Sequence, residues 1–265
     1  MNALKLFVSL TLAATAFGQM QDNQDKQLSC DNGSYGDRAK YCEVREQTTA
    51  AMGLLSVDPG RNGGATVKGW SRNEVLVRSR VEGRADSDAN ARIMVNQVYV
   101  NTSGGHVQAQ GPQSSGNSDW SVSFEIFVPQ ATSLTLKTVN GGITVSDIRG
   151  SLKFEATNGG VNLRRLAGDV AGSTVNGGIN LELMGSTWDG SQVQVTTRNG
   201  GVNVSVPENY SAHFQTETLN GSLRSEIPLN LPTDARSGNQ DFSIGAGGPL
   251  IHVTTTNGAV RLKKV

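Results

Sequence analysis

The chain has 265 residues, of which 32 are glycine and 5% are aromatic, and its 23 basic residues balance 23 acidic ones. A formal charge of zero argues against nucleic acid as a partner, because binding to phosphates needs a basic surface. Abundant glycine with few aromatic residues is typical of many tight corners and short strands, and not of a compact aromatic core.

Residues 1–18 have the features of a secretory signal peptide. Lys5 supplies the positive charge, the apolar stretch 6–17 follows, and the small residues Ala16 and Gly18 suit a cleavage site. The stretch is too short for a transmembrane helix, and no later run of about 18 apolar residues occurs. We therefore expect an exported mature chain without a transmembrane segment, in the periplasm, at the cell surface or outside the cell.

Residues 19–53 form an N-terminal segment that contains the only two cysteines, Cys30 and Cys42. In an oxidising compartment they are expected to form one disulfide that closes a small loop. A redox or zinc site is the alternative, but the spacing disfavours it, because the segment has no Cys-x-x-Cys pair and no neighbouring histidine. The sequence predicts no cofactor and no metal site.

A β-repeat domain is predicted for residues 54–265. Its first part contains an Asn-Gly-Gly corner at Asn62, and the segment 98–111 resembles another coil with Ser-Gly-Gly at the corner. Alternating apolar and polar residues predict further strands at 41–49, 73–81 and 120–129. One short helix is predicted at 86–97, where helical spacing replaces the alternation, and it is expected to cover an open end or an edge of the sheet.

The regular repeats occupy residues 134–225. Each copy is an alternating segment, an Asn-Gly step and a second alternating segment, as in LTLKTVNGGITV and LKFEATNGGVNL, and a last repeat follows at 250–265. A fixed period of about 20 residues is typical of a repeat architecture. The corner asparagines are Asn140, Asn158, Asn176, Asn199, Asn220 and Asn257, which are separated by steps of 18, 18, 23, 21 and 37 residues.

Aligned on these asparagines, the repeats form columns of one chemical type. The position three residues after each asparagine is always apolar, and the position four residues after it is always polar. A period of two residues predicts strands with one buried face and one face in water.

The Asn-Gly-Gly step has two interpretations. It fits a type I′ hairpin turn, which would give an antiparallel meander. It also fits the corner of a solenoid coil, where Asn and Gly would supply positive φ and stacked asparagines would hydrogen-bond. The near-constant period favours the all-β solenoid, a β-helix-like stack of short strands with its coils in chain order.

Residues 228–249 interrupt the repeat. Their composition favours a flexible loop, although Phe242 and Ile244 fit a short strand. The charged tail 261–265 is expected to end the last strand at an exposed edge of the sheet.

No catalytic constellation is evident among the acidic and histidine residues. Glu155 and Glu217 share a column but are expected three coils apart, about 14 Å at the usual strand spacing, and Glu182 and Glu226 are separated similarly. Asp147 and Asp169 fall in connections between strands. The three histidines occupy different columns, so a metal site would need them to converge by chance; they are His106, His213 and His252.

The recurring pattern Thr-x-Asn-Gly-Gly-[Ile/Val]-x-[Val/Leu] after a signal peptide resembles the bacterial "putative adhesin" family of β-strand-repeat domains of unknown function, which are related to the toast-rack domains. The resemblance covers residues 50–265 and is strongest over 134–262. It implies a solenoid-like β-fold at or outside the cell envelope, with no enzymatic activity and no catalytic residues to carry over. Some relatives have a transmembrane segment that this chain lacks.

We therefore hypothesise an exported, non-catalytic protein that binds a surface glycan or an envelope protein, or acts as a scaffold there. Two alternatives come from other classes. One is a polysaccharide-active enzyme on a β-helix scaffold, which would need two acidic residues within about 10 Å in one groove. The other is a structural subunit that self-assembles end to end through open solenoid edges.

Overall fold

The computed structural model describes residues 28–30, 38–229 and 238–265. Within them the chain forms two ten-stranded sheets and a single α-helix. The predicted all-β class with one short helix is thus confirmed, whereas the predicted signal peptide lies outside the described residues.

The first part of the domain contains seven strands and the helix α1 (Asp88–Gln97). The strands are β1 (Ala39–Ala50), β2 (Leu54–Asp58), β3 (Ala65–Trp70), β4 (Glu74–Ala85), β5 (Tyr99–Asn101), β6 (His106–Gln110) and β7 (Asp119–Pro129).

The repeats each contribute one longer strand, an Asn-Gly corner and one shorter strand. The longer strands are β8 (Ser133–Asn140), β10 (Leu152–Asn158), β12 (Val170–Asn176), β14 (Gln192–Asn199), β16 (Ala212–Asn220) and β19 (Leu250–Asn257). The shorter strands are β9 (Ile143–Ser146), β11 (Val161–Arg164), β13 (Ile179–Glu182), β15 (Val202–Val206), β17 (Leu223–Ser225) and β20 (Val260–Lys264). The remaining strand, β18 (Gly238–Ile244), lies outside this scheme.

The two strands of each coil belong to different sheets. The first sheet has the order β1-β4-β7-β3-β9-β11-β13-β15-β20-β17, and the second has the order β18-β16-β19-β14-β12-β10-β8-β2-β6-β5. Successive coils pair in parallel and in register, so that Asn140, Asn158 and Asn176 are neighbours. This confirms the solenoid and excludes a meander of hairpins. The apolar columns of the two sheets form the buried core between them.

The coils do not stack in chain order. The last repeat lies inside the stack, because β19 pairs with β14 and β16, and β20 pairs with β15 and β17. The expectation that the charged tail ends an exposed edge is therefore wrong. The edge of the second sheet on this side is β18, which is antiparallel to β16 and stacks Phe242 on Phe214 with ring centroids 5.5 Å apart. This confirms the short strand predicted around Phe242, whereas residues 230–237 of the predicted loop lie outside the described residues.

The N-terminal end of the stack is antiparallel. In the first sheet β1, β4 and β7 pair antiparallel, and β7 then pairs in parallel with β3. The predicted coil with its corner at Asn62 is made of β2 and β3, and it stacks directly on the coil of β8 and β9. The predicted Ser-Gly-Gly coil is wrong, since β5 and β6 form a hairpin. Gly104 and Gly105 have φ of 63° and 77°, which a hairpin turn of the I′ type requires.

The helix α1 begins after Ser87, whose side chain accepts a hydrogen bond from the Asn90 N–H at 3.3 Å. Its buried residues Ala91 and Val95 pack toward β4, where a Cβ at Gly83 would meet the Ala91 carbonyl oxygen at 2.7 Å. The guanidinium of Arg45 on β1 donates to the carbonyl oxygens at the end of the helix. The helix thus packs on β1 and β4, at the antiparallel edge of the first sheet.

Candidate binding groove at the second corner

Each coil has a second corner, which connects its short strand to the next long strand. The corners at 147–151 and 165–169 belong to 18-residue steps, whereas the corner at 183–191 belongs to the 23-residue step from Asn176 to Asn199. Since the strands pair in register, the five additional residues (23 − 18) must lie in this third corner.

A groove of about 240 Å³ lies along these corners. We call it the corner groove and define it by Asp147 and Arg149 of the first corner, Leu166 and Ala167 of the second, and Met184, Trp188 and Asp189 of the third. Leu166, Ala167 and Trp188 are buried, while Met184 is exposed. The indole Nε1 of Trp188 donates to the carbonyl oxygen of Gly168 at 3.0 Å, which fixes the long corner against the short one.

Two ion pairs with different environments line the corner groove. The guanidinium of Arg165 donates two hydrogen bonds of 2.7 Å to the two carboxylate oxygens of Asp147, a bidentate pair. These hydrogen bonds lower the pKa of Asp147 and outweigh the effect of its burial. Arg149 instead contacts Asp189 once, at 3.5 Å, and the two side chains are 66% and 80% exposed. The guanidinium of Arg149 is therefore open to an incoming group.

Asp147 and Arg165 also share an unusual backbone conformation. Their φ values are 61° and 50°, in the left-handed region that residues other than glycine rarely adopt. Each directly follows its short strand, at equivalent positions of adjacent coils, because Ser146 pairs with Arg164. This conformation costs about 1 kcal/mol or more per residue and is concentrated at functional sites.

The predicted corner asparagines form one continuous ladder at the opposite corner. Each side-chain amide donates to the side-chain oxygen of the preceding coil at 2.7–3.0 Å. In spatial order the ladder is Asn62, Asn140, Asn158, Asn176, Asn199, Asn257 and Asn220. A second, shorter ladder runs on the outer face of the first sheet through Asn162, Asn180 and Asn203.

The predicted disulfide is present, since Cys30 is bonded to Cys42 on β1. It attaches the described residues 28–30 to the antiparallel edge of the first sheet, far along the stack from the corner groove.

The acidic and histidine residues differ in part from the expectation. Glu155 and Glu217 lie on β10 and β16, which are four strands apart and not three. His213 and His252 lie on adjacent strands, each beside its own carboxylate: His213 Nε2 is 2.6 Å from Asp241, and His252 Nε2 is 3.4 Å from Glu217. The sequence missed this proximity, since it followed from the displaced last repeat. In the part of the chain that the structure describes, no three potential ligands gather into a metal site.

The corner groove was also missed. Asp147 was placed correctly in a connection, but the sequence did not indicate that Asp189 would face the same groove. The one available signal was the 23-residue step, which interrupts a regular period of 18 and marks a longer corner.

The fold and this site define the chain as a two-sheet β-solenoid with a corner groove. The model of the Toastrack DUF4097 family matches residues 67–263, which is 197 of 265 residues, and the chain belongs to this family. This confirms the resemblance to toast-rack-like β-repeat domains.

A comparison with solved structures finds similarity to proteins from several bacteria. A "putative cell adhesion protein" from Clostridium sporogenes is 13% identical, with 84% of this chain and 100% of that chain covered and a TM-score of 0.43. A "putative adhesin" from Bacteroides fragilis is 10% identical, with 84% and 97% covered and a TM-score of 0.40. A "putative lipid binding protein" from Parabacteroides distasonis is 8% identical, with 84% and 96% covered and a TM-score of 0.35.

No curated protein matches the chain. Among the described residues, no helix has both the length and the apolar character needed to cross a membrane.

Proposed function

We propose that this chain is an exported, non-catalytic binding protein of the cell envelope, and that its ligand-binding site is the corner groove. Residues 1–18 act as the signal peptide, and residues 54–265 form one β-repeat binding domain behind the disulfide-containing segment 19–53. The disulfide supports export, because such bonds persist in oxidising compartments. The observation that carries the proposal is a groove built on a rigid stack of coils, with a largely exposed guanidinium at its rim.

The ligand is defined by the chemistry of the groove. Arg149 presents N–H donors in a planar fork that matches a carboxylate, and its contact to Asp189 is single and largely solvent-exposed. The exposed side chain of Met184 offers an apolar surface in the same groove. A group that combines a carboxylate with an apolar ring face fits this arrangement, and an acidic sugar residue of an envelope glycan has both.

A catalytic role is disfavoured by the state of the acidic residues. Glycoside hydrolysis needs one carboxylic acid with a raised pKa as the proton donor. Asp147 lines the groove, but Arg165 lowers its pKa and occupies both of its oxygens. Asp189, the other acidic residue that lines the groove, is 80% exposed. Neither Asp147 nor Asp189 is a carboxylic acid that is both shielded from solvent and free to donate a proton, as this reaction requires.

Calorimetric titration of the mature chain with acidic and neutral oligosaccharides tests the proposal. We expect binding of the acidic ligands, weakened roughly tenfold or more by Arg149→Ala, because a charge-assisted hydrogen bond contributes about 1.5–3 kcal/mol. Arg198→Ala is the matched control, since Arg198 is an exposed arginine beside the Asn199 corner on the other side of the coil. Equal binding by the two variants would refute the groove as the site.

The same samples also test two other parts of the proposal, the non-catalytic role and the signal peptide. Release of cleavage products from the oligosaccharides, abolished by Asp147→Asn, would overturn the non-catalytic role and favour the enzyme. N-terminal sequencing of the protein recovered from outside the cytoplasm should show a chain that begins shortly after residue 18, whereas an intact Met1 would contradict the signal peptide.

A further inference from the structure

The corner ladder contains seven Asn-Gly steps, and such steps are the most reactive sites of asparagine deamidation in peptides. In this reaction the backbone nitrogen of the glycine attacks the side-chain Cγ of the asparagine. A new N–Cγ bond forms, the Cγ–Nδ2 bond breaks, and ammonia leaves with the proton of the glycine N–H. Water then opens the cyclic imide to aspartate or isoaspartate. The reaction requires a glycine N–H and an asparagine side chain that are both free to move.

Six of the seven steps withhold the glycine N–H. In each of them the N–H donates to the main-chain oxygen of the corner asparagine in the neighbouring coil, at 3.0–3.2 Å. These glycines are Gly63, Gly141, Gly159, Gly177, Gly200 and Gly258. The attack therefore requires that two coils first separate at the corner.

The seventh step, Asn220-Gly221, lies at the end of the ladder opposite Asn62. Among the residues that the structure describes, the N–H of Gly221 has no hydrogen-bond acceptor. The Asn220 side chain is exposed and makes a single ladder bond, its donation to Asn257 at 2.8 Å. The inner asparagines such as Asn176 are held by two ladder bonds, one donated and one accepted. The following strand β17 has only three residues and lies at the edge of the first sheet.

We infer that Asn220 is the one ladder asparagine of the folded protein that undergoes spontaneous deamidation, and that the other six are protected by their place in the stack. The change puts a carboxylate at the open end of the solenoid. It also removes the amide that donates to Asn257. The coil of Asn220 thereby loses its ladder bond and gains a negative charge next to the acceptor oxygen of Asn257.

Peptide mapping by mass spectrometry, after incubation of the folded mature chain at mildly alkaline pH, tests this inference. We expect conversion at Asn220 to be at least roughly tenfold faster than at any other ladder step, because the inner amides react only after local opening. In urea, where the stack is unfolded, all seven steps should convert at similar rates. The peptide with Asn32-Gly33 is scored separately, since residues 31–37 lie outside the described part of the chain.

Two further measurements keep the inference independent of one assay. Hydrogen exchange should be faster at the Gly221 amide than at Gly200 or Gly258, whose N–H groups are bonded between coils. The variant Asn220→Gln should abolish the early conversion and leave the other steps unchanged. Conversion of Asn220 at the rate of the inner steps, or protection of the Gly221 amide, would overturn the inference, because either result means that another group covers this end.

Discussion

At the scale of single residues, the first glycine of each corner is required by the close approach of neighbouring coils. A Cβ at Gly159 would lie 2.1 Å from the carbonyl oxygen of Gly141, whereas at the second glycine, Gly160, the nearest atom is 3.6 Å away. The prediction that Asn and Gly supply positive φ is wrong for this corner, since Asn158, Gly159 and Gly160 all lack it, although Gly63 at the first corner has a φ of 152°. The second position is less crowded, which explains why Ala259 and Ser222 occupy it in two coils.

Substitution of the two glycines of one corner is therefore expected to change stability by very different amounts. Gly159→Ala should lower the free energy of unfolding by roughly 3 kcal/mol, because overpacking against a main-chain oxygen forces the coils apart. Gly160→Ala should change it by less than about 1 kcal/mol and serves as the matched control. Chemical denaturation of both variants gives the comparison, and equal losses would contradict the close-approach explanation.

A buried carboxylate in the antiparallel part predicts a dependence of stability on pH. Glu82 on β4 is 5% exposed, with Lys40 at 3.0 Å and a hydrogen bond from Arg84 at 2.5 Å. Burial alone raises the pKa of Glu82. The hydrogen bonds from Lys40 and Arg84 lower the pKa by a larger amount, so that the net shift is downward. A lowered pKa in the folded state stabilises the fold above the unfolded pKa, and this stability is lost as the pH falls through the folded value.

Glu82→Gln should accordingly cost about 3 kcal/mol at pH 7, because it removes the buried negative charge that accepts hydrogen bonds from Lys40 and Arg84. The difference from the parent chain should shrink below about pH 4.3, where the carboxylate of the unfolded parent becomes protonated. Glu155→Gln, at an exposed position of the second sheet, is the control and should be nearly neutral. Thermal unfolding from pH 3 to 8 measures both, and a constant difference across this range would refute the role of the charge.

At the scale of elements, each coil is stabilised by its neighbours through the same three features. Apolar columns pack between the sheets, main-chain hydrogen bonds run along the stack, and the amide ladder closes one corner. The threonine two residues before the asparagine adds a fourth in three coils, where its hydroxyl donates to a glycine carbonyl oxygen at 2.7–2.9 Å. Because all coils share these features, the repeat unit could be predicted from the sequence in detail.

The ladder predicts a dependence on position. Asn176→Ala removes two side-chain hydrogen bonds and should destabilise the chain by about 2 kcal/mol, whereas Asn220→Ala removes one and should cost about 1 kcal/mol. Urea titrations of the two variants measure the difference. A larger loss at Asn220 would contradict the assignment of this residue to the end of the ladder.

At the scale of the whole molecule, the position of the last repeat decides how the chain can be shortened. A chain that ends at residue 206 keeps the contiguous stack up to β14 and β15. A chain that ends at residue 249 keeps β16 and β17 but loses β19 and β20, which separate them from the rest of the stack.

We therefore expect the chain that ends at residue 249 to be less stable than the chain that ends at residue 206. In the chain that ends at 249, residues 212–225 should lose protection from hydrogen exchange and be cut by protease, since their parallel partners are gone. The chain that ends at 206 should remain folded over 134–206. If residues 212–225 stay protected from hydrogen exchange in the chain that ends at 249, this coil must pack directly on β14, and the prediction is contradicted.

The corner groove and the histidine pairs could not have been predicted in the same way. Asp147 and Asp189 line the same groove although they belong to different corners, and His213 and His252 lie on adjacent strands because β19 is inserted next to β16. The sequence shows only the number of residues between successive corner asparagines. This number indicates that one corner is longer, but it does not indicate which residues that corner faces.

The sequence by itself determined the solenoid, its corner asparagines, the apolar columns, the helix and the pair of cysteines, because each follows from local periodicity or spacing. Only the tertiary structure decided the order of the coils, the hairpin at Gly104-Gly105 and the corner groove. The physical reason is that every coil presents the same hydrogen-bond pattern and the same columns to its neighbours. Such a pattern specifies that coils stack in register, but the choice between neighbours depends on connections and contacts that lie far apart in the chain.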